Sequence, residues 1–228
     1  GWERSQIARG RTPVTPVDLL GWVATLVGTV LALPQLVRLA RTRNIEGLSL
    51  VGWQTALVLN LAWTAHGISI GQLPQILSSS LALFSTVPIL VLMAHELGRG
   101  VLATMLPSIA IAATMVGVDV ILGSMAYGIV AIVPGIVITA AQSVELVRSE
   151  HVRGVSPASL ALGFCNLTLW GAWAFLVNDS GSIIAVSTTW FVGLFNLVWY
   201  ALRRFGLRPF FLRVRAPEPV PITVANAE

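Results

Sequence analysis

The chain of 228 residues is poor in charge and in cysteine, and it contains no lysine. Only 11% of its residues are charged, less than half of the share usual in soluble domains, whereas 55% are hydrophobic. So few charges cannot cover the surface of a water-soluble globule of this size. The single cysteine, Cys165, excludes an intrachain disulfide and a cysteine-rich metal site. The net charge of +4 comes from arginines that flank apolar runs, which argues against a nucleic-acid-binding domain.

Long apolar runs alternate with short polar breaks along the chain, and the mean hydropathy is +0.81. A helix needs about 20 mostly apolar residues to cross a bilayer, and seven runs reach that length. We therefore predict an all-α, multi-pass membrane protein. Its predicted membrane helices are 17–39, 50–70, 73–93, 101–122, 125–147, 157–177 and 182–202.

The arginines are distributed unevenly over the two sides of this predicted bundle. The N-terminal segment 1–16 and the breaks on the same side contain Arg4, Arg9 and Arg11, and the other eleven of the fourteen arginines lie on the opposite side. Positively charged loops tend to remain in the cytoplasm. The pattern therefore predicts a cell-membrane protein with its N-terminus outside and a cytoplasmic tail over residues 206–228.

Two parts of the sequence match at a constant shift of 107 positions, without a gap over roughly 30 residues. We predict that each copy forms a three-helix repeat, 17–96 and 124–205, and that a linker helix in 97–123 joins them. Each copy contains three helices, so a second copy that followed directly would be inverted in the membrane. The linker helix restores its orientation, and we therefore predict parallel repeats related by an axis along the membrane normal. The matched pairs are Gln35 with Gln142, Arg41 with Arg148, Gly47-Leu48-Ser49 with Gly154-Val155-Ser156, and Trp63 with Trp170.

These motifs resemble the PQ-loop family. The resemblance is carried by Pro34-Gln35 near the cytoplasmic end of the first helix, the basic loop, the Gly-x-Ser start of the second helix and the deep Trp63. The arrangement of three helices, one linker and three helices resembles the SWEET sugar transporters, whose single-repeat relatives, the SemiSWEETs, pair two such units. The resemblance implies uncoupled transport of a sugar or other small polar solute by alternating access. It implies no cofactor, no metal and no catalytic residue.

Other PQ-loop proteins leave alternatives open, because they include amino-acid exporters and proteins involved with lipid-linked sugars. A proton-coupled exporter and a non-transporting membrane subunit are therefore retained as hypotheses. A homo-oligomer is also left open. Besides the solute, the lipid bilayer is the partner that the composition predicts, and nucleic acid is not one.

The family's sugar-binding residues are a tryptophan late in the second helix of each repeat and an asparagine early in the third. Trp63 and Trp170 match the tryptophans, and Asn60 and Asn166 lie on the same helix faces at i−3 and i−4. The asparagine positions fall near Ser79 and near Val186 or Ser187, so neither copy has the amide. We predict a solute site from Trp63, Trp170, Asn60, Asn166, Ser79 and Ser187, and the alternative is that these residues only pack helices together.

Proline positions suggest where the helices bend. Pro34 removes a backbone donor, so we predict an inner hinge at Pro34 and Gln35, with Gln142 as the matched residue in the second copy. The second copy has Ala141 in place of the proline, and Pro134 lies about two turns earlier. Pro74-Gln75 starts the third helix on the outer side and is not counted as the motif.

Two titratable residues within predicted spans are candidates for a proton site. Asp119 is the single acid well inside a span, and His66 belongs to the residue type that titrates near neutral pH. The alternative is structural: a wet or paired acid in the linker helix and a neutral, hydrogen-bonded histidine.

Overall fold

The computed structural model describes residues 15–43, 48–148, 156–208 and 210. This part of the chain is all-helical and has no strand. The predicted helix ends lie within three residues of the observed ones at every terminus. The helices are α1 Pro16–Thr42, α2 Leu50–Ser69, α3 Leu73–Glu96, α4 Val101–Leu122, α5 Ser124–Arg148, α6 Pro157–Val177 and α7 Ser180–Arg204.

Five of these helices, α3 to α7, are long and apolar enough to cross a membrane, and the apolar part of α1 covers Pro16–Leu31. Large apolar side chains point away from the protein, as in Val120, which is 76% exposed, and Ile121, which is 79% exposed. Such exposure is stable in lipid and unfavourable in water. The chain is therefore a multi-pass helical membrane protein. The assignment of all seven helices as spans, three plus one plus three, remains a prediction.

Serine and aspartate side chains fix where three helices begin. Ser49 accepts a hydrogen bond from the backbone N–H of Gly52 at 3.1 Å, and Ser156 accepts one from Ser159 at 3.3 Å. The Gly-x-Ser motif found in both copies thus supplies the N-cap of α2 and of α6. Asp179 caps α7 in the same way and accepts from the backbone N–H of Ser182 at 2.8 Å.

The helices pack in a similar order within the two copies. In the first copy α3 packs against α1 and α2, and in the second copy α7 packs against α5 and α6. Contacts between α1 and α6 and between α2 and α5 join the copies. The linker α4 packs against α2, α3 and α5. Each copy is therefore closed by its third helix, and the two copies meet through their first two helices.

Small residues allow close backbone contact at the end of the bundle where α3 and α7 begin. A Cβ on Gly128 of α5 would lie 2.5 Å from the carbonyl oxygen of Gly181 on α7. A Cβ on Gly21 of α1 would lie 2.7 Å from Cβ of Pro74 on α3. Gly21 and Gly128, like Pro74 and Gly181, are 107 positions apart. The same contact therefore recurs at equivalent positions beyond the stretch in which the sequence match was found.

Several predictions fall outside what the structure describes. Residues 1–14, most of the loops that follow Arg43 and Arg148, and residues 211–228 are not among the described residues. The domain boundaries and the orientation of the termini in the membrane stay predictions.

Candidate solute-binding cavity

A cavity of about 400 Å³ lies among the helices of the two copies. Its volume falls in the range of small-molecule sites, roughly 300–1,000 Å³. Its lining residues come from α1, α2, α3, α5, α6 and α7, and none of them comes from α4. The linker therefore takes no part in forming the walls that the structure describes.

Most lining residues occur as pairs that are 107 positions apart, one from each copy. The cavity thus lies between equivalent surfaces of the two copies, although many of the paired residues differ in chemistry. The pairs are Gly28 with Gly135, Leu59 with Asn166, Asn60 with Leu167, Trp63 with Trp170, Gln75 with Ser182, Ser78 with Ala185, Ser79 with Val186, and Ala82 with Thr189.

Both predicted tryptophans line this cavity, and neighbouring aromatic rings fix their orientation. Trp63 meets Tyr127 edge to face, with ring centroids 5.0 Å apart, and Trp170 meets Trp173 in the same manner at 5.3 Å. Such T-shaped pairs are favourable beyond the area that they bury. The structure therefore brings Trp63 and Trp170 to one site. Their role in binding stays a prediction.

The two predicted asparagines also line the cavity but differ in their partners. Asn60 donates from Nδ2 to the hydroxyl of Thr86 at 3.0 Å. Asn166 Oδ1 is buried without a hydrogen-bond partner among the described residues. Gly28 lies beside this amide, since a Cβ there would be 3.6 Å from Asn166 Nδ2. An acceptor without a partner is unfavourable in an apolar surrounding, so Asn166 is the asparagine that is available to a solute.

Of the two predicted serines, Ser79 lines the cavity and Ser187 does not. The position equivalent to Ser79 is Val186, and it contributes an isopropyl group to the wall. Ser187 follows it by one residue, a step of about 100° around the helix, which turns its side chain away from the cavity. Of the two positions that the sequence offered for the second copy, Val186 lines the cavity, and a role of Ser187 in binding stays a prediction.

Three lining residues outside the predicted set have buried polar atoms without a partner among the described residues. Gln75, Ser182 and Trp173 are each at least 96% buried, with exposed fractions of 4%, 3% and 1%. Gln75 Oε1, Ser182 Oγ and Trp173 Nε1 have no hydrogen-bond partner among the described residues. Trp173 could be found from its i+3 spacing to Trp170, whereas Gln75 was set aside as a misplaced Pro-Gln pair. These atoms offer an acceptor, a hydroxyl and a donor to a polar solute.

The predicted hinge residues are placed less completely. Pro34 and Gln35 belong to α1, which is helical through both positions, and their side chains lie outside the described part. Pro134 is half-buried in α5, one residue before the cavity residue Gly135. Gln142 is exposed near the end of α5. Their roles as hinges stay predictions.

His66 and Asp119, which the sequence offered as separate proton candidates, belong to one buried cluster with Asp179. His66 Nδ1 lies 2.8 Å from Asp119 Oδ2, and His66 Nε2 lies 3.0 Å from Asp179 Oδ2. The histidine is 0% exposed and each aspartate 8%. Asp119 is thus the paired acid of the structural alternative. A neutral imidazole has one N–H, so it can donate to one of two carboxylates and not to both. The protonation state of His66 stays a prediction.

Asp179 holds the cluster together at the start of α7. The hydroxyl of Ser124 donates to Asp179 Oδ1, and Ser124 Oγ in turn accepts from the backbone N–H of Gly181 at 2.8 Å. Desolvation raises the pKa of Asp179, but the hydrogen bonds from His66, Ser124 and Ser182 outweigh it and hold the pKa below its ordinary value. Asp179 is therefore a carboxylate. The signal for Asp179 in the sequence was an aspartate directly before an apolar run, which is a position typical of a helix N-cap.

The cluster is next to the cavity but does not line it. Trp63, which lines the cavity, lies one turn from His66, and their rings are 5.6 Å apart. Ser182, another lining residue, donates its backbone N–H to Asp179. None of the lining residues that the structure describes is charged. The described site thus consists of a neutral cavity and a charged cluster at the end where α3 and α7 begin.

Comparison with known proteins identifies a relative. No family model matches the chain. The sugar transporter SemiSWEET of Escherichia coli is 32% identical to it over 74 residues, which cover 32% of this chain and 83% of that protein. The matched length fits within one of the predicted repeats, such as residues 17–96. The chain therefore belongs to the SWEET-related family of membrane proteins that includes the SemiSWEET sugar transporter.

Proposed function

We propose that this protein is a SWEET-like transporter in the cell membrane that moves a sugar or another neutral, hydroxyl-rich solute by alternating access, as an uncoupled uniporter. In this proposal seven helices span the membrane as two parallel three-helix repeats joined by α4. The observation that carries the proposal is a cavity whose uncharged wall is built from equivalent positions of the two copies. The similarity to the SemiSWEET sugar transporter agrees with it.

The neutral wall favours a neutral solute. An ion or zwitterion in this cavity would lose its hydration without meeting a counter-charge, which costs several kcal/mol. Hydroxyl groups instead find partners in Asn166, Gln75 and Ser182, whose polar atoms are otherwise unsatisfied. A polyol donates to the first two and exchanges hydrogen bonds with the third. We therefore expect discrimination against charged metabolites of similar size.

The two tryptophans supply the apolar part of the site. A sugar ring has an apolar face of C–H groups, and an indole ring offers a flat surface for it. Trp63 and Trp170 come from equivalent positions on α2 and α6, so in our proposal they flank the solute from both sides. Asn60 has a partner in Thr86 and orients the wall, whereas Asn166 binds the solute directly.

Alternating access requires each copy to tilt relative to the other. Because the cavity wall is shared between the copies, a tilt opens one end and closes the other. We assign the bending to Pro34 and Gln35 in α1 and to Pro134 in α5, with Gln142 beyond it. Pro134 directly precedes the cavity residue Gly135, so a bend there changes the wall itself.

The test is uptake by proteoliposomes of a panel of radiolabelled neutral mono- and disaccharides, with a charged sugar acid as the excluded class. We expect saturable uptake that falls more than tenfold in Trp63→Ala and in Trp170→Ala. The matched control is Trp190→Ala, because Trp190 packs on Phe164 and bonds Thr168 outside the cavity wall. An equal loss of uptake in all three variants would indicate a folding defect and not a role of Trp63 and Trp170 in binding. Failure of the folded wild-type protein to take up any sugar would contradict transport and favour a non-transporting subunit.

Proton-coupled export is the second candidate, and the buried cluster of His66, Asp119 and Asp179 is the observation that favours it. Coupling predicts that an imposed pH gradient drives solute accumulation above equilibrium in the same proteoliposomes. Flux that is indifferent to the gradient would eliminate this candidate and leave the uniporter.

A further inference from the structure

His66 joins three separate parts of the chain at one end of the cavity. It lies on α2 in the first copy, Asp119 lies on α4, and Asp179 lies in the connection that leads into α7 of the second copy. The packing of α2 against α4 already keeps His66 and Asp119 together. The bond from His66 to Asp179 differs, because it crosses from the first copy to the second.

Both bonds require a particular protonation state of the histidine. Nδ1 and Nε2 each face a carboxylate oxygen, at 2.8 and 3.0 Å. Only the imidazolium form has an N–H at both nitrogens. When His66 loses a proton while both aspartates are carboxylates, one of the two nitrogens becomes an acceptor that faces another acceptor, and one bond is lost. Asp179 keeps two other donors, the hydroxyl of Ser124 and the backbone N–H of Ser182, whereas Asp119 keeps the hydroxyl of Ser69. In our inference the bond to Asp179 is therefore the one that is lost.

The groups that face His66 from the packed elements are few. The hydroxyl of Ser69 donates to Asp119 at 3.0 Å and leaves that carboxylate better satisfied than a single bond would. From α5, the ring of Tyr127 stacks on the imidazole, with centroids 4.4 Å apart and planes 11° apart. Asp119, Asp179 and Tyr127 are thus the titratable neighbours that the described residues place around the ring. No second cation in the described part replaces the imidazolium.

We propose that the Asp119–His66–Asp179 cluster is a proton-sensitive latch that holds this end of the cavity closed. The inference rests on the proposed function, since a latch requires two copies that move apart. With His66 protonated, its bond to Asp179 links the copies. Loss of that proton releases one carboxylate, and the cavity end opens more often. Because Trp63 and Ser182 belong to the wall and contact the cluster, the opening reaches the solute site directly.

The experiment measures opening itself and not flux. In a Cys165→Ala background, Ser79→Cys places the chain's single thiol in the cavity wall. A membrane-impermeant maleimide is added to intact cells in a series of buffers that starts on the acidic side of the ordinary histidine range and extends well above it. The same cysteine in a His66→Gln protein serves as the reference, so that the intrinsic pH dependence of the thiol cancels in the ratio of the two rates.

We expect slow labelling at the acidic end of the range, where His66 is protonated. Relative to the His66→Gln reference, labelling should rise roughly ten- to hundredfold as the pH increases, the range expected for one charge-assisted hydrogen bond. His95→Gln is the matched control, because His95 is exposed in the last turn of α3, at the opposite end of that helix. It should keep the full pH response.

Asp179→Asn protects the test against a folding defect, because asparagine is also a good N-cap and retains the helix start. It should flatten the pH response while sugar uptake at one fixed pH persists. Equal pH dependence with and without His66 would overturn the latch, as would a loss of response in His95→Gln. Sugar uptake that depends on Trp63, together with pH-independent labelling, would overturn the latch and retain the transporter. Labelling that depends on His66, without any sugar uptake, would support the pH-dependent opening of the latch and contradict transport.

Discussion

The contact between α5 and α7 predicts a large effect of a single methyl group. A Cβ on Gly128 would lie 2.5 Å from the carbonyl oxygen and 2.7 Å from Cα of Gly181, and these backbone atoms cannot move independently. Overpacking against rigid neighbours costs about 1–3 kcal/mol, and distances this short place Gly128→Ala near the upper limit. The gain in helix propensity from glycine to alanine offsets about 1 kcal/mol of it. We therefore expect a net loss of about 2 kcal/mol in the free energy of unfolding.

Gly117→Ala in α4 is the matched control, since nothing lies within 4 Å of a Cβ built there. It has the same propensity gain without the collision, so we expect it to be about 1 kcal/mol more stable than the wild-type protein. The assay is unfolding of the purified proteins in detergent, followed by tryptophan fluorescence. A difference of about 3 kcal/mol between the two variants is expected from these terms. Equal stability of Gly128→Ala and Gly117→Ala would refute the close approach of α5 and α7.

Three further predictions concern caps, charge and acid. Ser49→Ala and Ser156→Ala should each lower the free energy of unfolding by about 1 kcal/mol in the same detergent assay, and replacement by asparagine should restore it. Gln75→Glu puts a charge into the neutral cavity and should reduce sugar uptake at least tenfold, whereas Gln72→Glu, at the N-cap of α3 and outside the described cavity wall, should leave uptake unchanged. Because the folded-state pKa of Asp179 is depressed, its stabilisation should be complete above the ordinary pKa of about 4 and decline as the pH falls below it. The stability difference between the wild-type protein and Asp179→Asn should shrink accordingly on acidification, and a constant difference would contradict the assignment.

The helices were largely predictable because lipid imposes a simple rule on the sequence. Apolar runs of sufficient length identify spans, and the Gly-x-Ser motif identified the start of α2 and α6 through Ser49 and Ser156. The helix α2 is not among the five that are long and apolar enough to cross a membrane, and it contains Asn60 of the site and His66 of the cluster. Polar residues that belong to a binding site or a buried cluster lower the mean hydropathy of their helix. The helix is then harder to recognise as a membrane span.

The site was predictable only where one helix carries the information. Trp63 and Trp170 followed from the repeat and its resemblance, and the spacing of four residues placed Asn166 on the same helix face as Trp170. The partners of His66 did not follow, because Asp119 and Asp179 are 53 and 113 positions away and only tertiary packing brings them together. No local pattern distinguishes a surface aspartate before a helix from one that faces a buried imidazole.

The paired positions of the wall have a consequence for how a solute is oriented. A dimer of identical single repeats presents every group twice, so a bound molecule can be turned half a revolution about the membrane normal without any change in its surroundings. In this chain the position equivalent to Asn60 holds Leu167, and the position equivalent to Asn166 holds Leu59. The positions recur in both copies while the side chains at them differ. The two sides of the proposed solute site therefore differ in chemistry. We expect one orientation of a bound solute to be preferred over the orientation turned by half a revolution about the membrane normal. Joining two copies in one polypeptide gives each half the freedom to specialise, which a self-associating half cannot have.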